Sequence, residues 1–230
     1  MGTTLRLLHS NSARTLLADL LPLFEEETGV HVDTSLHGGK VLRERIAAGE
    51  TADAVILGSS VLREFAEAGI LRAGSVRPFA RTRVAAAVRA GEPKPDIGSV
   101  DALRRTLRAT RSIAHTSEGV SGQYIPVLFD KLGIAQEMQG RTVTRSSGYI
   151  GPLVVSGEAD LALQQLPELL AVEGLDIVGL IPEEVQKVME TASGVFSASR
   201  HAQEAQALFA FLARPEHAAT FALRGWEQLP

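Results

Sequence analysis

The chain contains no cysteine, which excludes a disulfide bond, a thiol nucleophile and a thiolate metal site and leaves the cellular compartment open. It also lacks a basic run. The net charge is −4 and the isoelectric point is about 5.9, so we expect no nucleic-acid partner. No apolar run reaches the length of a membrane span, so we expect no membrane segment.

Several catalytic and metal-binding patterns are missing as well. No His-x-x-x-His pair or carboxylate cluster has the spacing of metal ligands. No Gly-x-Ser-x-Gly sequence is present, which argues against a serine hydrolase. The segment Gly148-Tyr149-Ile150-Gly151 is not a phosphate-binding fingerprint. We therefore expect no metal and no cofactor.

The N-terminus lacks the pattern of a secretory signal. Thr4 leads directly into the apolar run Leu5–Leu8, with no basic segment, long apolar segment or small-residue cleavage site. If this N-terminus is native, we expect the protein in the cytoplasm. If a signal peptide has been removed, we expect it in the periplasm.

The chain does contain an alternation of short apolar runs and amphipathic segments, and 45% of its 230 residues are hydrophobic. Over Leu5–Ala68 the pattern predicts strand, helix, strand, helix, strand, helix, which indicates a parallel sheet with right-handed crossovers. Pro22 lies inside the first predicted helix, Ala13–Glu27, and is expected to kink or split it. The same strand–helix unit recurs in the second half of the chain. We therefore expect two α/β lobes around a cleft.

The stretch Leu36–Ser60 predicts a loop, a helix, a strand and a second loop. Gly38 and Gly39 are expected to leave backbone amides free to face a ligand, because glycine tolerates positive φ. The following helix begins near Lys40, and an open helix N-terminus attracts anions. In α/β proteins such groups gather at the carboxyl ends of the strands, and ligands bind there.

Basic side chains lie at the same predicted strand ends, and each has two interpretations. His37 and His9 are either loop histidines, exposed or bonded to the backbone, or ligand contacts. Lys40 and Arg14 are expected in first helical turns, where a cation opposes the helix dipole, so a bound anion explains them better than solvation does. Ser59 is a helix cap first and a ligand donor second.

The order and spacing of several segments resemble the type II periplasmic solute-binding proteins, in particular the molybdate-binding-protein-like family. These segments are Leu42–Glu50, Ala52–Leu57, Val88–Gly91, Ser121-Gly122, Gly157–Asp160, Gln164-Gln165 and Leu180–Lys187. The resemblance implies an α/β fold of two lobes with parallel or mixed sheets. It also implies that residues 1–82 and 192–230 form lobe 1 and residues 83–191 form lobe 2, with Arg83–Val88 and Val188–Phe196 as crossing strands.

In this family, serine hydroxyls and backbone amides from strand-end loops hold an oxyanion. The residue patterns and the resemblance together predict these ligand-binding residues: Ser10, Asn11, Ser12, Arg14, Gly38, Gly39, Lys40, Ser59, Ser121, Gly122, Tyr124, Arg145, Ser147, Tyr149 and Gln164. Histidine and lysine near the first two loops are larger and more basic than the small residues usual in a molybdate pocket. This departure indicates a larger, carboxylated ligand.

Two functions follow from these expectations. The first is a solute-binding protein that holds a small anionic ligand, a carboxylate or an oxyanion, in the interlobe cleft and has ABC transporter membrane subunits as partners. The second is a cytoplasmic isomerase of an unsaturated di- or tricarboxylate, because the resembling family includes an aconitate isomerase. An allylic proton shift needs a base, which His37 or His9 would supply, and cationic anchors such as Lys40, Arg14 and Arg145. The fold favours binding, whereas the missing export signal favours the enzyme.

Overall fold

The computed structural model describes residues 2–229, and the chain divides into two compact units. Unit 1 comprises the residues up to Arg81 together with those from Glu190 onward, and unit 2 comprises Thr82–Met189. The chain leaves unit 1 within one strand, Arg77–Arg89, and returns to it within another, Val188–Val195. Across residues 2–229, no helix has the length and apolar character that crossing a membrane requires.

Unit 1 starts with three strand–helix repeats, in which buried aliphatic strands alternate with helices that bury one side. Its first elements are β1 (Thr4–Ser10), a 3₁₀ turn (Asn11–Ala13), α1 (Arg14–Thr28), β2 (His31–His37), α2 (Gly39–Ala47), β3 (Ala54–Gly58), α3 (Ser59–Glu67) and β4 (Arg77–Arg89).

Unit 2 repeats the alternation of strands and helices, and the chain then returns to unit 1. The elements of unit 2 are α4 (Val100–Ala109), β5 (Ile113–Thr116), α5 (Val120–Lys131), β6 (Thr142–Arg145), α6 (Gly151–Val155), β7 (Leu161–Gln165), α7 (Leu166–Leu170), β8 (Leu175–Leu180) and a 3₁₀ turn (Glu183–Val185). The closing elements are β9 (Val188–Val195), α8 (Ala202–Leu212), a 3₁₀ turn (Pro215–His217), α9 (Ala218–Leu223) and β10 (Glu227–Gln228).

In the unit 1 sheet, β1 lies between β2 and β3, and these three strands are parallel. Strand β9 pairs antiparallel with β3. Leu5 and Leu7 face the core that includes α1, whereas Leu8 faces the core that includes α2 and α3. Because both faces are covered there, Leu7 and Leu8 are both buried although they are neighbours in the strand. The register places Ser10 opposite His37, so the carboxyl ends of these strands share one edge.

The unit 2 sheet is built in a similar way, with β5 between β6 and β7 and all three strands parallel. The second half of β4 pairs antiparallel with both β7 and β8. Ile113 packs with Ile125 and Leu128 of α5 on one face, and Ala114 packs with Leu153 of α6 on the other. The carboxyl ends of β5, β6 and β7 therefore also lie at one edge.

The predicted alternation of strands and helices is confirmed. Of the kink or split expected at Pro22, the split is wrong. Helix α1 runs unbroken from Arg14 to Thr28 through the proline. Leu20 and Phe24, on either side of the proline, are each 1% exposed. Their burial stabilises the continuous helix and outweighs the hydrogen bond that proline removes.

Candidate functional site

Three helical segments begin at one edge of the unit 1 sheet. Ser10, Gly38 and Gly58 precede them, and the structure describes all three. None of these three residues makes a side-chain hydrogen bond that caps its helical segment. The described first turns of these segments, and of α1 after the 3₁₀ turn, also carry no acidic residue. Helix N-termini usually gain stability from such acids or caps. Their backbone amides are therefore placed to receive an anion from outside the chain.

A pair of serine hydroxyls lies at the end of the central strand. The Oγ atoms of Ser10 and Ser12 are 3.0 Å apart, so one hydroxyl donates to the other. Ser12 is only 5% exposed, whereas Ser10 is half-buried. The hydroxyl that accepts in this pair keeps its own proton and can turn it toward another acceptor, because a hydroxyl rotor is free to choose its partner.

The glycines of the second loop do not use the conformation that the sequence predicted. Gly38 has a φ of −59°, Gly39 lies inside α2, and neither is among the residues with positive φ. A Cβ atom on Gly39 would meet Leu57 Cδ1 at 3.6 Å, which is an ordinary contact. The expected positive φ is therefore wrong, because the chain enters α2 directly through an extended residue and a helical one.

His37 ends β2, and its ring contacts the second helix of unit 1. Its Nε2 lies within hydrogen-bond distance of Arg45 Nη1 and 3.4 Å from the hydroxyl of Ser35. Arg45 in turn donates from Nη2 to Glu50 Oε1 at 3.0 Å. One nitrogen of the His37 ring is therefore already engaged within unit 1.

His9 lies at the end of β1 and is 2% exposed. Its Nδ1 is 3.0 Å from the carbonyl oxygen of Ser10. Since a carbonyl only accepts, Nδ1 carries a proton in this contact, and Nε2 is the acceptor of the neutral ring. Burial lowers the pKa of His9; the hydrogen bond to the Ser10 carbonyl opposes this shift, and the charge of Arg14 adds to it. His9 and Arg14 also line a cavity of about 300 Å³ together with Leu21 and Pro22.

At the end of β5 in unit 2, the structure shows a similar histidine. The Nδ1 of buried His115 is 2.8 Å from the Thr116 carbonyl, and burial lowers the pKa of His115 while this hydrogen bond opposes the shift. The next helix, α5, packs very closely on that strand end. A Cβ atom on Gly122 would lie 1.9 Å from the Thr116 carbonyl oxygen, so only glycine fits there. Ser121, beside it, is 1% exposed.

Tyr124 is directed into the body of unit 2. The side chain is 8% exposed, and its hydroxyl donates to the Val185 carbonyl at 2.6 Å. Lys131 Nζ donates to the same hydroxyl at 3.2 Å. The phenol thus joins α5 to the 3₁₀ turn that precedes β9, which is a structural role.

Gln164 braces the loop between β6 and α6. It is 1% exposed, its Nε2 donates to the Gly148 carbonyl at 2.8 Å, and its Oε1 accepts from the Ile150 amide at 3.1 Å. A further hydrogen bond joins Gln164 to Glu168 in α7. Burial raises the pKa of Glu168 to about 8, although the hydrogen bond from Gln164 opposes this shift.

Comparison with known protein families shows which family the chain belongs to. A family model described as bacterial extracellular solute-binding protein matches residues 5–227. The chain belongs to this family.

One sequence relative and two solved structures are similar to this solute-binding protein over nearly all of its length. An aconitate isomerase from a Pseudomonas species is 33% identical, over 99% of this chain and 89% of its own length. The periplasmic molybdate-binding protein of Azotobacter vinelandii is 18% identical, with 98% and 99% of the two chains covered and a TM-score of 0.82. A structure of L-phospholactate-bound PEB3 is 17% identical, with 98% and 100% covered and a TM-score of 0.72. These structural matches confirm the predicted type II periplasmic-binding-protein-like fold.

The predicted ligand residues of the solute-binding protein fall into two groups, one in each unit. Unit 1 gathers its group at the carboxyl edge of β1, β2 and β3, in the strand ends, turns and first helical residues there: Ser10, Asn11, Ser12, Arg14, Gly38, Gly39, Lys40 and Ser59. Unit 2 gathers its group at or next to the ends of β5, β6 and β7, at Ser121, Gly122, Arg145, Ser147, Tyr149 and Gln164, whereas Tyr124 lies on α5 with its hydroxyl on the Val185 carbonyl. Contact of these residues with a ligand stays a prediction.

Two side chains that support these loops were not predicted. Arg45 has no sequence signal, because its contact with His37 depends on how α2 packs beside β2. Glu168 has none either, because glutamate is rarely buried and only the packing of α7 on β7 and β8 covers it.

Proposed function

We propose that this solute-binding protein holds a small carboxylate or oxyanion at the carboxyl edge of the unit 1 strands. The observation that carries this proposal is the set of three uncapped helix starts on neighbouring strands, with the Ser10–Ser12 hydroxyl pair among them. Backbone amides and hydroxyls bind an anion without adding a charge of their own. Similarity to a molybdate-binding protein and to phospholactate-bound PEB3 supports an anionic ligand.

The distribution of charge supports the same ligand class. The whole chain carries a net charge of −4, yet the first turns at this edge hold the cations Arg14 and Lys40 and no acid among their described residues. Cations at a helix N-terminus oppose the helix dipole, so a bound anion compensates them. Long cationic side chains suit carboxylates set apart on a carbon frame, and for this reason we favour a di- or tricarboxylate over a bare tetrahedral oxyanion.

As a binding protein of its family, the chain would deliver this ligand to the membrane subunits of an ABC transporter. The family description, extracellular, supports a location outside the cytoplasm for that role. The partner and the location need a test that does not depend on ligand affinity. Pull-down of the membrane subunits from native membranes, with and without ligand, tests them.

An isomerase is the second candidate, because the 33% identical relative is an aconitate isomerase. In an allylic shift, a base removes a proton from one carbon, the double bond moves, and a proton returns to the far carbon of the allylic system. His9 suits this step better than His37. Its Nδ1 is held by a carbonyl, so Nε2 carries the lone pair, and burial lowers its pKa and keeps the ring neutral near pH 7.

Calorimetric titration tests the ligand class and the site. The probes are sulfate, molybdate, citrate and trans-aconitate, with trimethyl aconitate as the neutral analogue. We expect an anion to bind and Lys40→Ala to weaken it by roughly 10- to 100-fold, as for a lost hydrogen bond to a charged group. Lys94→Ala, in an exposed loop, is the matched control and should bind as wild type. Equal affinity for the ester and the acid would refute the proposal.

Proton NMR of the aconitates in deuterated water tests turnover. Deuterium entering an allylic carbon, or conversion of one isomer to the other, would establish the isomerase. In that case His9→Gln should abolish exchange while changing affinity by less than about tenfold, because the lost group acts in the transition state. A bound ligand that never exchanges identifies a binding protein.

A further inference from the structure

The contact between Arg45 and His37 fixes which nitrogen of the histidine carries the proton. An arginine guanidinium stays protonated in proteins and has no acceptor, so in a hydrogen bond it can only donate. The Nε2 atom that faces Arg45 Nη1 must therefore be the acceptor. In a neutral imidazole the proton then lies on Nδ1, and the ring offers a donor, not a base, on its other side.

The arginine is itself held in place, so this contact is not a chance orientation of a long side chain. Arg45 pairs with Glu50 through Nε and Oε2 at 2.6 Å and through Nη2 and Oε1 at 3.0 Å. Arg6 reaches the same carboxylate at 2.6 Å and the Thr51 carbonyl at 3.1 Å. The side chain of Glu50 is only 14% exposed. Two arginines and one largely covered carboxylate thus form an ion-pair network beside β2.

We propose that Arg45 is a positioning residue that holds His37 as an Nδ1–H donor for the anion at the unit 1 edge. His37 then contributes to ligand binding and not to proton abstraction, which leaves His9 as the histidine suited to a base. An N–H donor beside Ser10 binds a deprotonated carboxylate oxygen more strongly than an ester, whose carbonyl is a weaker acceptor. The part of this inference that concerns the ligand rests on the proposed function; the tautomer of His37 does not.

The experiment reads the tautomer directly. Protein labelled with ¹⁵N-histidine is examined by long-range ¹H–¹⁵N correlation of the imidazole rings, without ligand, and the His37 signals are identified by their loss in His37→Gln. Wild type is expected to show the neutral ring with the proton on Nδ1. Arg45→Met should return the ring to the Nε2–H form or to a mixture, and Arg45→Lys, which keeps a cationic donor, should retain the wild-type pattern.

Arg43→Met is the matched control, because Arg43 lies on the same helix and pairs with Glu64 at 2.8 Å instead. It should leave the His37 signals unchanged. Circular dichroism confirms that each variant is folded, and Arg45→Ala, which also removes the cationic donor, replaces Arg45→Met if that variant does not fold. A proton on Nε2 in the wild type, or a tautomer that does not respond to Arg45→Met in a folded protein, overturns the inference.

Affinity for trans-aconitate and sulfate gives the second measurement. If either binds the wild type, Arg45→Met is expected to weaken it roughly tenfold, with Arg43→Met unchanged. Failure of both anions to bind would contradict the proposed function and leave the tautomer result standing. Binding that is equal in wild type and Arg45→Met, despite a changed tautomer, would overturn the ligand role of His37 alone.

Discussion

Glu168→Gln isolates the effect of one buried carboxyl group on stability. Glu168 lies in the first turn of α7, is 8% exposed and accepts a hydrogen bond from Gln164. The elements packed on α7 are β7, which has no charged residue among its described positions, and β8, whose Asp176 accepts from the Gly91 amide at 3.0 Å. Glutamine matches the protonated acid in shape and keeps an oxygen for Gln164, so the substitution removes the titration and little else.

The sign and size of the effect follow from the pKa. The unfolded chain ionises Glu168 near pH 4.5, whereas the folded protein keeps it protonated up to about pH 8. Between these values the folded state binds the additional proton, so this group lowers stability as pH rises, and its contribution becomes constant above about pH 8. At about 1.4 kcal/mol per pKa unit, the full difference reaches at most about 5 kcal/mol.

Urea unfolding followed by circular dichroism, from pH 4.5 to pH 9, measures this difference. Wild type and Glu168→Gln should have similar free energies of unfolding at pH 4.5, and the variant should be more stable by several kcal/mol, and by at most about 5, at pH 9. Glu173→Gln, at an exposed glutamate of the same unit, controls for the loss of one negative charge. A difference that stays constant with pH, or that shrinks as pH rises, would refute the burial of a neutral carboxyl group.

Two further substitutions test the packing of α5. Gly122→Ala should destabilise the protein by at least about 3 kcal/mol in urea unfolding, because its Cβ would lie 1.9 Å from the Thr116 carbonyl oxygen. Gly39→Ala is the control and should be tolerated, because its Cβ would lie 3.6 Å from Leu57. Equal stability of the two variants would contradict the close approach of α5 to β5. Tyr124→Phe should cost about 1–3 kcal/mol, since the buried Val185 carbonyl loses its donor at 2.6 Å, and an unchanged midpoint of thermal unfolding would show that this hydrogen bond is absent.

Much of the fold could be predicted because its signals are local. The apolar runs of β1 and β3 and the glycine and serine residues after them define strand ends in the sequence itself. The parallel order then follows from the alternation with helices. Pro22 misled the prediction, since tertiary packing of Leu20 and Phe24 decides the continuity of α1 and a local rule cannot include it.

The candidate site was predicted only as a set of strand-end loops. Residue types indicated correctly that Ser12 and His37 lie near one edge, because parallel strands end together. The structure places Ser12 in a 3₁₀ turn and His37 at the end of β2, not in loops. The sequence could not show that Tyr124 and Gln164 turn their polar atoms to the backbone of unit 2, or that Arg45 engages His37. Those contacts join residues that are distant in sequence or depend on how a helix packs, so they exist only once the chain is folded.

Backbone amide NMR during an anion titration tests the proposed anion site most directly. The amides of the three helix starts, represented by Ser12, Gly39 and Ser59, lie at the unit 1 edge and should show the largest saturable shifts with the anion that binds, trans-aconitate or sulfate. Trimethyl aconitate at the same concentrations should leave them in place. Shifts that saturate while these three amides stay unmoved, or equal shifts with the ester, would contradict an anion held at this edge.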